Sequence, residues 1–166
     1  DGVSSGLKEQ LVWEGIRLIS CEQFDTFSIG DTPVYAVPDL LFVDSQGKWV
    51  IVDWKTGEEV EDNKEQVALY ALYVRKKHGV VVENISARLE YLNLGTVQEL
   101  TFTTEELKAV EREALASMEK MQDLLLDPAQ NVPLSKEHFP LTSARKLCLW
   151  CNFYELCQRE LAESVS

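Results

Sequence analysis

A chain of 166 residues with 45% hydrophobic content can bury one substantial core, and no run approaches the ~18 apolar residues of a membrane span. Sixteen Lys and Arg against 28 Asp and Glu give a net charge of −12, which counts against a surface that grips phosphates by charge alone. No internal repeat or low-complexity tract is visible, and only residues 1–6 and 163–166 read as loose ends. The chain opens on Asp1 without an initiator Met, so it reads as an N-terminally incomplete piece of a longer protein. The absence of a secretory signal points to a reducing, cytoplasmic setting.

Hydrophobic periodicity predicts a helix over residues 7–20 and strands over 22–29, 33–43 and 48–54. A helix over 62–78, strands over 84–94 and 97–103 and a helix over 104–126 follow, then a loop and a short C-terminal helix around the cysteines. Ser45-Gln46-Gly47 reads as the hairpin turn that sets the strands on either side of it next to each other. Asn93-Leu94-Gly95-Thr96 reads as a second hairpin turn, and Thr103 with Glu106 forms a capping box that starts the long helix.

Two of these strands carry polar residues that do not fit them. Val34 to Val43 is apolar except at Asp39, where an unpaired buried carboxylate would cost about several kcal/mol without a partner or cation. In Trp49-Val50-Ile51-Val52-Asp53-Trp54-Lys55, alternation puts Asp53 and Lys55 on the same face as Ile51. Pro38, just before Asp39, favours a bulge or an edge position where the ladder opens. On the next helix Gln66 and Tyr70 are four residues apart and share a face. Taken singly, these residues fit water-facing strand ends, a Lys that pairs with one of them, an exposed Gln and a core Tyr equally well.

Taken in order, Pro38-Asp39, Asp53-Trp54-Lys55 and Gln66-Val67-Ala68-Leu69-Tyr70 resemble the PD-(D/E)xK nucleases, and within them the RecB-like or AddB-like branch. The resemblance implies an α/β fold of the restriction-endonuclease type: an αβββαβ core with a mixed central sheet flanked by helices and a C-terminal cysteine-cluster segment. It also implies a Mg2+- or Mn2+-dependent deoxyribonuclease that acts on single-stranded DNA ends in recombination or repair and leaves 5′-phosphates. Asp39, Asp53 and the backbone carbonyl of Trp54 would hold the metal. Lys55 would orient or deprotonate the attacking water, and Gln66 and Tyr70 would position Lys55 or the DNA backbone. A helicase, fused or separate, is the implied partner, with no membrane. The chain departs from the branch in having no His before His78, where an upstream helix usually supplies a further metal ligand.

Near the C-terminus, Cys148, Cys151 and Cys157 form a C-x2-C-x5-C cluster. A disulfide would strand one thiol, and zinc remains open on spacing alone. The branch resemblance implies a 4Fe-4S cluster, whose fourth Cys lies far upstream. Cys21 is the only other thiol, yet it sits closer to the core motifs than that ligand should, so it is read mainly as a core residue. The expected organisation is a nuclease core over residues 1–130 and a cysteine-cluster segment over 131–166.

The acidic balance is met in part by placing the carboxylates of residues 58–65 and 104–119 on solvated faces. Lys55, Arg145, Lys146 and Arg159 are then the cations available near the site and the cluster. Two other readings stay open: an inactive nuclease fold that binds DNA or a helicase, with an iron-sulfur or zinc clip, and a zinc-stabilised interaction module.

Overall fold

Four consecutive buried residues, Val50 to Asp53, mark the Trp49–Lys55 strand as one covered on both faces, the signature of a central strand. The computed structural model describes residues 15–58, 61–155 and 157–158. In chain order its strands are β1 (Arg17–Cys21), β2 (Asp25–Ile29), β3 (Thr32–Ala36), β4 (Leu40–Val43), β5 (Trp49–Lys55), β6 (Ile85–Tyr91), β7 (Thr96–Thr101), β8 (Leu125–Asp127) and β9 (Val132–Pro133). Helix α1 (Glu61–His78) lies between β5 and β6, and α2 (Thr104–Gln122) follows β7. The chain divides into two compact units, Asp1–Met118 and Glu119–Ser166.

In the first unit a five-stranded mixed sheet runs β1-β4-β5-β6-β7. β4 and β5 pair antiparallel through the turn at Ser45-Gln46-Gly47. Asp44 Oδ1 accepts the N–H groups of Gln46 and Lys48 there, both at 2.9 Å, and Gly47 supplies the positive φ the turn needs. β5 and β6 are parallel, which demands a crossover, and α1 provides it. The α1 side chains Val67, Ala71, Leu72 and Val74 are all buried, joined in the core by Ile51, Ala87 and Leu89 of the sheet. α2 begins at the expected capping box, in which Thr103 Oγ1 accepts the Glu106 N–H and Glu106 reaches back to the Thr103 N–H. Its Leu107, Val110, Ala114 and Met118, at helical spacing, close the core.

The mixed α/β architecture is the expected one, with several local differences. The Val34–Val43 segment is two strands in two sheets, because Pro38 has no N–H for a ladder and the chain breaks at residues 37–39. Its first half, β3, pairs with β2 in a separate hairpin, and β2 begins at Asp25 rather than at residue 22. Residues 7–14 of the expected first helix lie outside the described residues, and its expected last turn is strand β1. There Arg17 to Cys21 fill the open edge of β4, so tertiary pairing overrides local propensity. In the second unit α2 stops at Gln122 instead of 126, and a small β8–β9 hairpin stands where a loop was expected. The cysteine region begins with a 3-10 turn over Arg145–Trp150, and helix, as expected there, appears at residues 154–155 and 157–158.

The β2–β3 hairpin is tied to α1 by one polar cluster. Tyr73 donates to Asp25 Oδ2 at 2.8 Å, and Lys77 Nζ contacts Asp25 Oδ1 at 2.7 Å and the Thr26 carbonyl at 3.0 Å. Hydrogen bonding from Lys77 is the main reason the Asp25 carboxyl is held down at about 2, below its ordinary 3.8. A depressed acid stabilises the fold above its unfolded pKa, and that gain is lost as pH falls through the folded value. Asp25→Asn should therefore lower stability by about 1 kcal/mol at pH 7, a figure kept small because Asp25 is partly exposed. The gap between parent and variant Tm should close on acidification from pH 4 to 2; a gap that stays constant would refute the ion pair as its source.

Candidate active site

The site starts from the mismatch between β4 and β5. Their ladder ends at Leu40 opposite Val52, while β5 runs on to Lys55. Lys55 bonds toward β6, its carbonyl taking the Leu92 N–H at 2.8 Å, so alternation turns the Trp54 N–H and carbonyl toward the side where β4 has already ended. Asp39, at the break between β3 and β4, fills that position: its Oδ2 accepts the Trp54 N–H at 2.7 Å. The Trp54 carbonyl faces the same opened edge. The Trp54 ring points to the opposite sheet face from Asp53 and donates Nε1–H to Glu90 at 3.0 Å.

Asp53 and Lys55 share the α1 face of β5, with Lys55 Nζ 2.7 Å from Asp53 Oδ2. Asp53 is the buried charged residue of this core, at 3% exposure. Its Oδ2 has no hydrogen-bond donor aligned with it beyond that ionic contact. Burial pushes the Asp53 carboxyl up; Lys55 opposes this and the nearby Asp39 charge adds to it.

From Lys55 a relay crosses to α1. Lys55 Nζ donates to Gln66 Oε1 at 2.6 Å, Gln66 Nε2 donates to Tyr70 Oη at 3.2 Å, and Tyr70 donates to the Val37 carbonyl at 3.1 Å. Desolvation raises the Tyr70 phenol, with the Asp53 and Asp39 charges acting the same way and Gln66 and Lys55 opposing, so Tyr70 stays protonated and donates. Val37 immediately precedes Pro38-Asp39. The five residues Asp39, Asp53, Lys55, Gln66 and Tyr70 are thus brought together from the β3–β4 break, β5 and α1. The Val37 carbonyl, which closes this network, was not anticipated: a backbone oxygen leaves no side-chain signature.

A hard divalent cation fits this arrangement. Two neighbouring carboxylates, one of them buried against the Lys55 ammonium, supply the hard oxygen donors such an ion takes. Asp39, Asp53 and the Trp54 carbonyl are the groups that would hold it. Among the described residues no three His, Cys, Asp or Glu side chains gather closely enough to bind a metal by themselves.

The other cysteine expectations fare differently. Cys21 is exposed, not part of the core, because it ends the edge strand β1 opposite Leu40. In the second unit Cys148 and Cys157 are half-buried and Cys151 is exposed, all as free thiols that do not converge into a ligand set. Cys151 closes the 3-10 turn, its N–H bonded to the Cys148 carbonyl at 3.2 Å, and its sulfur accepts the Phe153 N–H at 3.4 Å. The local backbone thus fixes Cys151. Of the other cations named, Lys146 is exposed, the Arg145 side chain lies outside the described set, and Arg159 lies outside the described residues. No helix among the described residues is long and apolar enough to cross a membrane.

The arrangement of an Asp at a strand break, Asp-x-Lys on the adjacent strand and a positioning helix defines a class. A family model of the PD-(D/E)XK nuclease superfamily matches residues 6–158, and the chain belongs to that superfamily. Its members hydrolyse nucleic acid and typically use divalent metals, so nucleic acid is the class of partner the fold implies. No curated protein matches the chain.

Proposed function

We propose that this chain is a Mg2+- or Mn2+-dependent deoxyribonuclease of the RecB-like or AddB-like branch, cutting single-stranded DNA at its ends to leave 5′-phosphates. The observation that carries the reading is the unbroken network from Asp53 through Lys55, Gln66 and Tyr70 to the Val37 carbonyl beside Asp39. A bound divalent cation would lower the pKa of a water and offset charge on the phosphate. The protein's own groups do the positioning. Asp39 and Asp53 would hold the cation as oxygen ligands, and the Asp39 bond to Trp54 N–H keeps its carboxylate fixed at the end of the ladder. Lys55 carries three donors; two directions are taken by Asp53 and Gln66, which leaves one for the attacking water or a non-bridging phosphate oxygen. There it stabilises negative charge as water attacks phosphorus and the bond to the 3′-oxygen breaks.

The C-x2-C-x5-C spacing, and a backbone N–H directed onto the Cys151 sulfur, support a thiolate-bound metal in residues 131–166, an iron-sulfur cluster by branch resemblance or else zinc. Against it stands the failure of the three thiols to converge, so no step is derived through such a group. The core and this segment, divided near residue 130, and a helicase partner complete the reading.

The test is cleavage of end-labelled single-stranded DNA. Activity should be absent in EDTA, return with Mn2+ or Mg2+, and yield ends that ligase accepts as 5′-phosphates. Cleavage that survives chelation would sink the metal mechanism. Tight DNA binding without cleavage would favour the inactive binding module. Absorbance near ~400 nm in the same preparation reports an iron-sulfur cluster, whereas colourless protein with stoichiometric zinc excludes it.

A further inference from the structure

Phe24 and Tyr35 are 80% and 73% exposed, and their rings meet edge to face, with centroids 6.2 Å apart at 81°. Single exposed apolar residues need no explanation, but two large rings packed on each other and left open to water form a preorganised aromatic step. The step arises from strand alternation. Val34 and Ala36 of β3 turn inward, so Tyr35 turns outward, and Phe24 stands just before Asp25, which pairs with Ala36 at the open end of the hairpin.

That open end leads into the site. Only Ala36, Val37 and Pro38 separate Tyr35 from Asp39, a reach of at most roughly 14 Å. On the other strand Glu22, two residues before Phe24, donates its N–H to the Asp39 carbonyl at 3.0 Å. Glu22 adopts a positive φ of 47°, the bend that brings this segment against Asp39.

Charge narrows the occupant. The chain carries −12 overall, and Lys77, which binds Asp25 next to Phe24, and Lys55 in the site are each engaged by a carboxylate. Phosphate contacts are therefore a scarce source of affinity, so a strand held here needs contacts that carry no charge. Unpaired bases offer uncharged π faces, which duplex DNA keeps within its own stack. We propose that the Phe24–Tyr35 step is a base-stacking platform that seats an unpaired nucleotide of single-stranded DNA beside Asp39. This rests on the nuclease reading of that site and adds the side chains that would seat its single-stranded substrate.

The experiment uses a single-stranded oligonucleotide carrying 2-aminopurine, with Ca2+ as the cation so that binding is read without turnover. The parent should quench the probe. The double substitution Phe24→Leu with Tyr35→Leu, apolar but unable to stack, should weaken binding by about 10–100-fold, whereas Tyr35→Phe should retain it. An abasic strand should bind parent and double variant alike, since only the bases use the step. With Mn2+ the double variant should show a raised KM and an unchanged kcat. Equal binding by parent and double variant would overturn the proposal. So would an effect that persists on the abasic strand, duplex bound as well as single strand, or self-association of the parent that the substitutions abolish. A parent that quenches the probe yet never cleaves with Mn2+ would count against the nuclease reading and leave the platform standing.

Discussion

Asp53→Asn should abolish cleavage and leave the metal-free protein at least as stable as the parent, with an expected gain of about 1 kcal/mol at pH 7. The argument is electrostatic. Asp53 is buried, its Oδ2 lacks an aligned donor, and the Asp39 charge lies close enough to oppose its ionisation. An acid whose folded pKa is raised costs stability at any pH above both folded and unfolded values, and the cost is relieved as pH falls through the folded value. Asparagine keeps the shape and removes that cost. Lys55 does not become a buried orphan in the variant, because it is 20% exposed and keeps its bond to Gln66. Lys55→Met is the opposite case. It strands the Asp53 carboxylate, should cost about 3 kcal/mol, and should recover part of that on addition of Mg2+, since a cation replaces the lost charge. Thermal melts of both variants, with EDTA and with Mg2+, check the pair. A destabilised Asp53→Asn protein, or a Lys55→Met protein whose Tm ignores Mg2+, would contradict this view of the site.

Tyr70→Phe should lower kcat by about 10–100-fold with little change in KM, an effect transmitted through positions and not through contact with DNA. The hydroxyl has two partners. It donates to the Val37 carbonyl and accepts from Gln66 Nε2, and the second bond is what holds the Gln66 amide with Oε1 toward Lys55. Without it, amide rotation would present N–H groups to the Lys55 ammonium, and the lysine would lose its fixed direction. The unsatisfied Val37 carbonyl adds a stability cost of about 1–2 kcal/mol. Single-turnover kinetics separate this from a binding defect: an unchanged chemical step, or a loss confined to KM, would remove Tyr70 from the positioning relay.

Some of this site was legible before any fold was known. Asp53 and Lys55 could be placed on one face of β5 because strand periodicity is a local rule, and Gln66 and Tyr70 on one face of α1 because helix periodicity is another. The turn at Ser45-Gln46-Gly47 and the Thr103 capping box were readable for the same reason: each depends on residues within four positions of each other. Residues 33–43 were less legible, since an apolar run around Pro38 can continue as one strand or divide between two sheets. Only the competing partners, β2 on one side and β1 with β5 on the other, decide. The β1 segment reads locally as the end of a helix because Arg17 to Cys21 has its partners in β4, about twenty or more residues on.

The amino-acid sequence by itself determined the superfamily, the elements that carry Asp53, Lys55, Gln66 and Tyr70, and the pairing of β4 with β5, because periodicity and turn chemistry act over a few residues. Tertiary structure alone decided that Asp39 caps the Trp54 N–H, that Tyr70 reaches the Val37 carbonyl, and that Cys21 is exposed. It also set Phe24 and Tyr35 on each other as an exposed pair. These contacts join residues 11 to 33 positions apart, or depend on where a strand ends, and no local preference encodes either; the register of the sheet does.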